Sequence, residues 1–138
     1  MFQSKNESET KEIGRRLGKK LKAGDIVCLY GELGTGKTTM VKGIASVIGI
    51  DERDITSASF TIIAEYSAPV PFYHIDLYRI ESKRAAELGL REYLYGDGIS
   101  VIEWAERAEA EIPDGSIRVR LKYAGDDSRE IEIKGIDI

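Results

Sequence analysis

The chain is poor in the residues that build stapled or metal-thiolate proteins. Its single cysteine, Cys28, cannot form an internal disulfide and has no thiol partner for a metal cluster. Cys28 falls inside an apolar run, where a small buried role suits it. A single histidine, His74, excludes a His-rich metal site. Only three prolines occur, and no Pro/Gly/Ser-rich stretch, repeat or low-complexity segment marks a linker. No apolar run approaches the roughly 20 residues that span a bilayer. The first eight residues, MFQSKNES, lack the apolar centre of a signal peptide, so a cytoplasmic location is expected. An excess of positive charge is also missing. Twenty basic residues face 24 acidic ones, for a net charge of −4, which argues against a stand-alone nucleic-acid binder. Lys11, Arg15, Arg16, Lys19, Lys20 and Lys22 cluster locally, and a solvated helix face accounts for them. What is present, 138 residues of which 42% are hydrophobic, suits one domain over 1–138 with a real core.

The chemistry-bearing stretch is Gly31-Glu32-Leu33-Gly34-Thr35-Gly36-Lys37-Thr38, which matches G-x-x-x-x-G-K-[ST]. Asp25–Tyr30 before it reads as a buried strand and Thr38–Ile48 after it as a helix, the context this phosphate-binding loop requires. Glycines let the backbone curl so that successive N–H groups face one concave nest. The following helix puts the positive end of its dipole on the same spot. Lys37 adds a full charge toward the β- and γ-phosphates, and the Thr38 hydroxyl is a Mg²⁺ ligand candidate. Nucleotide contacts are therefore expected from Glu32, Leu33, Gly34, Thr35, Gly36, Lys37, Thr38 and Thr39.

Ile13, Leu17 and Leu21 recur every four residues and predict an amphipathic helix that Ala23-Gly24-Asp25 ends. Gly14 and Gly18 beside that stripe permit close packing at some cost in helix propensity. Met40, Ile44, Val47 and Ile48 bury one side of the helix after the loop, and Gly49 stops it. Residues 55–66 hold a strand with a polar loop at Ser57-Ala58-Ser59, and 72–78 read as an antiparallel return strand. Ser82 is a candidate cap for a helix to Leu88, with Gly89 as its stop. Ile99–Ile102 is a short interior strand ending at Glu103. Alternation over 117–123 and 131–134 around Gly125-Asp126-Asp127-Ser128 predicts a hairpin with basic and acidic outer faces. The expected fold is α/β: a P-loop NTPase-like three-layer sandwich, its mixed sheet having a parallel core and added antiparallel strands.

Two acids are candidates to complete the site. Asp76 interrupts an apolar, aromatic strand; Glu103 ends an apolar strand where open α/β sheets place their ligand crevice. A bound Mg²⁺ would give either carboxylate a partner. The plainer alternatives are a salt bridge from Asp76 to Arg79, or a local loop cap, and a helix-N-terminal charge for Glu103. The catalytic set is then Lys37, Asp76 and Glu103, and the metal set Thr38, Asp76 and Glu103. Which acid positions water is left open. Trp104, next to Glu103, is either core packing or the rim of the site, and at the rim it joins the expected nucleotide contacts. Ser57, Ser59 and Thr61 form either a nucleotide-sensing switch or an ordinary turn.

These segments together resemble the TsaE (YjeE) ATPases: the loop through Thr39, Ser57-Ala58-Ser59-Phe60-Thr61, His74-Ile75-Asp76-Leu77-Tyr78-Arg79, and Ile102-Glu103-Trp104-Ala105-Glu106. The phosphate loop is shared by many families, whereas H-x-D-x-Y-R followed by E-W is far more specific. The resemblance covers about Thr10 to the final hairpin. It implies a bacterial ATPase of tRNA modification, using Mg²⁺ with ATP or ADP. Such a protein acts with TsaB and TsaD to install N6-threonylcarbamoyladenosine, and reaches tRNA through that complex. It also implies nucleotide contacts from Thr10 and Arg129. Ala58 and Ala105 stand where the family usually has proline, which bears on loop rigidity rather than on any charged group. Two other functions fit a phosphate loop. A small-molecule kinase needs an acceptor pocket and a lid, and no lid insertion is evident. A nucleotide-dependent assembly module would need no productive hydrolysis.

Overall fold

The computed structural model describes residues 1–56 and 62–138. The expected hydroxyl cluster at Ser57, Ser59 and Thr61, and the Ala58 substitution, lie outside the described residues.

The chain opens with a strand that the sequence pattern did not disclose, β1 (Phe2–Ser4). Helix α1 (Glu7–Gly18) follows, capped by Asn6, whose side chain accepts the Glu9 N–H at 2.9 Å. Glu7 and Glu9 in its first turn and Arg15 and Arg16 in its last suit the helix dipole. The helix ends at Gly18, short of the expected Ala23. Lys20 and Leu21 bond back to the carbonyls of Leu17 and Gly18, so the chain tightens into turns while Leu21 still packs on the core. Strand β2 (Ile26–Tyr30) is buried at all five positions. Its side chains alternate between two cores, Val27 and Leu29 on one face and Ile26, Cys28 and Tyr30 on the other. Helix α2 (Lys37–Ser46) starts directly after the glycine loop. Gly49 takes φ 98° and Ile50 bonds to the Ala45 carbonyl at 3.1 Å, which closes the helix end.

Strands β3 (Ile63–Tyr66) and β4 (Phe72–Asp76) are antiparallel, as expected. β4 stops at Asp76 because the Asp76 carboxylate accepts the Tyr78 N–H at 3.1 Å and turns the chain. Residues Ser82–Leu88 form a 3₁₀ helix rather than an α-helix. Glu81, not Ser82, holds the cap position, and no side chain caps it. The short α3 (Leu90–Leu94) follows Gly89, whose φ is 69°. Strand β5 (Ile99–Glu103) ends on Glu103, and a 3₁₀ segment over Ala105–Glu111 follows. The chain finishes with the expected hairpin, β6 (Ile117–Tyr123) and β7 (Arg129–Lys134).

The seven strands run in the order β1-β7-β6-β2-β5-β4-β3. β6, β2, β5 and β4 are mutually parallel, and the antiparallel strands flank them. β1 extends the sheet through Phe2 opposite Ile131. Helices α1 and α2 cover one face over Val27, Leu29, Val119 and Leu121. The 3₁₀ segments and α3 cover the other, through Ala85, Leu90, Leu94, Ala105 and Ile112. This is the expected three-layer sandwich. Glycines on both helices set how closely α1 and α2 approach. A Cβ on Gly14 would lie 2.5 Å from the Met40 carbonyl oxygen, and one on Gly43 would collide with the Lys11 carbonyl. Because β2, β4 and β5 are parallel, their C-terminal ends deliver the glycine loop, Asp76 and Glu103 to one edge of the sheet. Among the described residues no helix is long and apolar enough to cross a membrane.

Candidate functional site

The loop between β2 and α2 is built from backbone that only glycine adopts freely. Gly34 and Gly36 take φ 82° and 105°, and α2 begins at Lys37 with its first N–H groups facing out of the loop end. The Thr35 hydroxyl donates to the Glu32 carbonyl at 2.8 Å and ties the curl together. From outside, Arg129 donates to the carbonyls of Thr35 at 3.1 Å and Gly34 at 3.2 Å. Tyr123 donates to the Leu33 carbonyl. The hairpin therefore braces the loop by its carbonyls, and within the loop the Thr35 N–H bonds to the Glu32 carbonyl at 3.2 Å.

Lys37 is 5% exposed. Its Nζ donates to the Gly31 and Glu32 carbonyls at 2.5 and 2.9 Å and lies 4.1 Å from the centre of the Trp104 ring. Burial pulls the ammonium below the ordinary lysine range, and the charges of Glu103, Glu106 and Asp76 act against that pull. Trp104 is half-buried and takes φ 58°, the one positive φ outside glycine among the described residues. That conformation turns the chain sharply after β5, so Glu103 faces α2 while the indole covers Lys37. Arg107, three residues on, stacks over the same indole at 5.1 Å and donates to the carbonyls of Leu77, Tyr78 and Ile80.

The expected acids meet here. The Thr38 hydroxyl lies 2.9 Å from both carboxylate oxygens of Glu103, which is 3% exposed. Asp76 is the register partner of Glu103 on the adjacent parallel strand. A third group joins them: His74 Nε2 lies 2.6 Å from Glu103 Oε2, and ligand-capable atoms of His74, Asp76 and Glu103 all lie within 4.8 Å of one another. The one-histidine count correctly excludes a His-rich site but hides this role. The signal that finds it is the period of two, which puts His74 and Asp76 on the same face of β4. Lys37, Thr38, Asp76, Glu103 and Trp104 line one cleft of about 370 Å³. Hydroxyl and carboxylate oxygens are the donors a hard cation such as Mg²⁺ selects, so Thr38, Glu103 and Asp76 fit that ion.

Thr10 and Arg129 lie on the other side of the loop, in a second cleft with Gly34, Thr35, Gly36 and Thr39. The Thr10 hydroxyl is 2.7 Å from the Ser4 hydroxyl, and its methyl is turned toward Gly36. The Thr39 hydroxyl donates to Glu7 at 3.2 Å. Glu32 and Leu33 form the outer part of the loop, where Leu33 is 64% exposed. Among the described residues, those expected to contact nucleotide or metal thus stand around one loop, Thr38, Asp76, Glu103 and Trp104 in one cleft and Thr10 and Arg129 in another. Arg107 and Tyr123 join them without having been expected.

Known proteins resemble this chain over most of its length. The family model described as "Threonylcarbamoyl adenosine biosynthesis protein TsaE" matches residues 4–131. The chain is 43% identical over 132 residues to the tRNA threonylcarbamoyladenosine biosynthesis protein TsaE of Bacillus subtilis, covering 95% of this chain and 82% of that one. It is 39% identical over 131 residues to the protein of the same name from Treponema pallidum, covering 94% and 96%. The crystal structure of Bacillus subtilis YdiB superposes with a TM-score of 0.79 at 41% identity, covering 94% of this chain and 80% of that one. A match over nearly the whole sequence, relatives this similar and a shared fold lead to one statement: the chain belongs to the TsaE family of threonylcarbamoyl adenosine biosynthesis proteins.

Proposed function

We propose that this protein binds ATP with Mg²⁺ and hydrolyses it in support of tRNA N6-threonylcarbamoyladenosine formation, acting with TsaB and TsaD and reaching tRNA through them. The observation that carries the reading is the contact of the Thr38 hydroxyl with Glu103, 65 positions apart in the chain, at the open end of a glycine loop. A buried carboxylate facing a threonine hydroxyl at that point is the arrangement a phosphate-bound cation calls for. Thr38, Glu103 and Asp76 are the residues that would hold Mg²⁺, which when bound supplies positive charge against that developing on the phosphoryl oxygens.

The chain's own groups supply the rest. The loop amides and the α2 N-terminus present fixed partial positive charge to a phosphate tail. Lys37, now held by the Gly31 and Glu32 carbonyls, exchanges those acceptors for phosphate oxygens. Asp76 and Glu103 are the carboxylates within reach of an attacking water. The site is open to solvent beyond Trp104, so slow turnover by the isolated chain and faster turnover with its partners are expected, since closure over the cleft excludes water and fixes the reacting groups.

The test is steady-state ATP hydrolysis by the isolated chain and with TsaB and TsaD, for wild type, Asp76→Asn and Glu103→Gln. The reading expects partner stimulation, and loss of turnover with retained nucleotide binding in both variants. Full tRNA modification supported by variants that bind nucleotide but do not hydrolyse it would instead make the chain an assembly module. Phosphate transfer to a small acceptor rather than water would make it a kinase.

A further inference from the structure

Among the described residues, His74 is a buried, chemically competent side chain beside the acid pair that the proposed function leaves without a role. It sits mid-strand in β4, 4% exposed, opposite Val101 of β5. Residues 74 and 76 of β4 and 101 and 103 of β5 share the sheet face that α2 covers, so the ring lies one register step behind the acid pair. Its Nε2 is 2.6 Å from Glu103 Oε2. The Thr38 hydroxyl has one proton to share between the two oxygens of Glu103. A carboxylate this buried and held by one shared proton is free to turn about its last torsion, which is a broad one. A second donor from behind removes that freedom.

We propose that His74 is a positioning residue: its Nε2–H holds the Glu103 carboxylate in the orientation that meets Thr38, and through Glu103 it sets turnover without touching nucleotide or metal. The nitrogen nearest the acid cluster is committed to Glu103, which distinguishes this role from direct ligation. Groups of this kind behind metal-holding carboxylates fix ligand orientation, and their loss typically lowers activity or metal affinity about 10- to 100-fold. The role rests on the hydrolytic reading above for its consequence, and on the His74–Glu103 contact for its cause.

The sequence makes the cause directly observable, because the chain has one histidine and hence one imidazole signal. In ¹⁵N-histidine-labelled wild-type protein, long-range ¹H–¹⁵N spectra at neutral pH should show a ring protonated at Nε2, with a signal that shifts in Glu103→Gln. A ring protonated only at Nδ1, or one indifferent to Glu103→Gln, overturns the proposal. Loss of the Nε2 proton on adding diamagnetic Mg²⁺ also overturns it, by making His74 a ligand. For the consequence, His74→Leu removes the donor, and His74→Gln replaces it with an amide N–H at a similar reach. The leucine variant should lose about 10- to 100-fold in kcat with KM for ATP within about threefold of wild type. The glutamine variant should recover most of the loss. Equal kcat in wild type and His74→Leu, in a wild type that hydrolyses ATP, overturns the positioning role alone. A wild type without hydrolysis in any partner combination overturns the proposed function first, and the role of His74 with it.

Discussion

Replacing Lys37 with alanine separates the phosphate-gripping role proposed for this side chain from its structural one. In the structure Nζ already has two carbonyl acceptors, at 2.5 and 2.9 Å, and an aromatic face at 4.1 Å. Nucleotide binding therefore exchanges one set of partners for another rather than rescuing a bare charge. The net gain is the difference between a charge-assisted bond to phosphate and the bonds given up, on the order of 2–3 kcal/mol. At about 1.4 kcal/mol per factor of ten, Lys37→Ala should weaken binding of ATP with Mg²⁺ by about 30- to 150-fold. The effect on folding should be smaller. Gly31 and Glu32 line neighbouring surface clefts, from which water can replace the ammonium, so a loss of about 1 kcal/mol is expected. Relief of the desolvated charge works in the opposite direction. Isothermal titration calorimetry on wild type and variant, paired with urea denaturation, measures both quantities. Affinity unchanged within threefold in a folded variant would refute the reasoning, because Lys37 would then have no phosphate to grip.

Three further outcomes follow from the geometry. Gly43→Ala should destabilise the fold by about 1–3 kcal/mol despite alanine's better helix propensity, because the new Cβ meets the Lys11 carbonyl; denaturant midpoints read this, and a stabilised variant would contradict the close helix contact. Burial pushes the Cys28 thiol from 9.0 up to about 12, so the unfolded chain releases its proton first and stability falls as pH rises between those values. From pH 8 to 10.5, wild type should therefore lose about 2 kcal/mol more than Cys28→Ala, with parallel curves as the contrary result. Trp104 emission should change on nucleotide titration, since Lys37 must leave the ring it now covers; a flat titration alongside calorimetric binding would detach the indole from the site.

Local pattern carried the reading wherever a contact spans few residues. The glycine loop, the doubly buried strand before it and the final hairpin are legible because turn chemistry and side-chain period are properties of adjacent residues. The pattern misjudged the end of α1, where the apolar stripe continues through Leu21 although the backbone has already tightened into turns. It also took Ser82 for a cap, where Glu81 holds that position without a side-chain bond. A propensity says which residue suits a position, not whether the chain places that position there.

The sequence by itself determined that a G-x-x-x-x-G-K-T glycine loop stands between a buried strand and a helix, that Asp76 and Glu103 are candidate acids beside it, and that the fold is a P-loop-like sandwich. Only the tertiary structure decided that His74 backs Glu103 across 29 residues, that Arg129 braces the loop from 94 residues away, and that Thr10 lies in a second cleft. It also decided that three residues at the start of the chain pair with β7 as an edge strand. The reason is physical: strand order and helix approach set distances between residues that share no local periodicity, and those distances exist only once the sheet has formed.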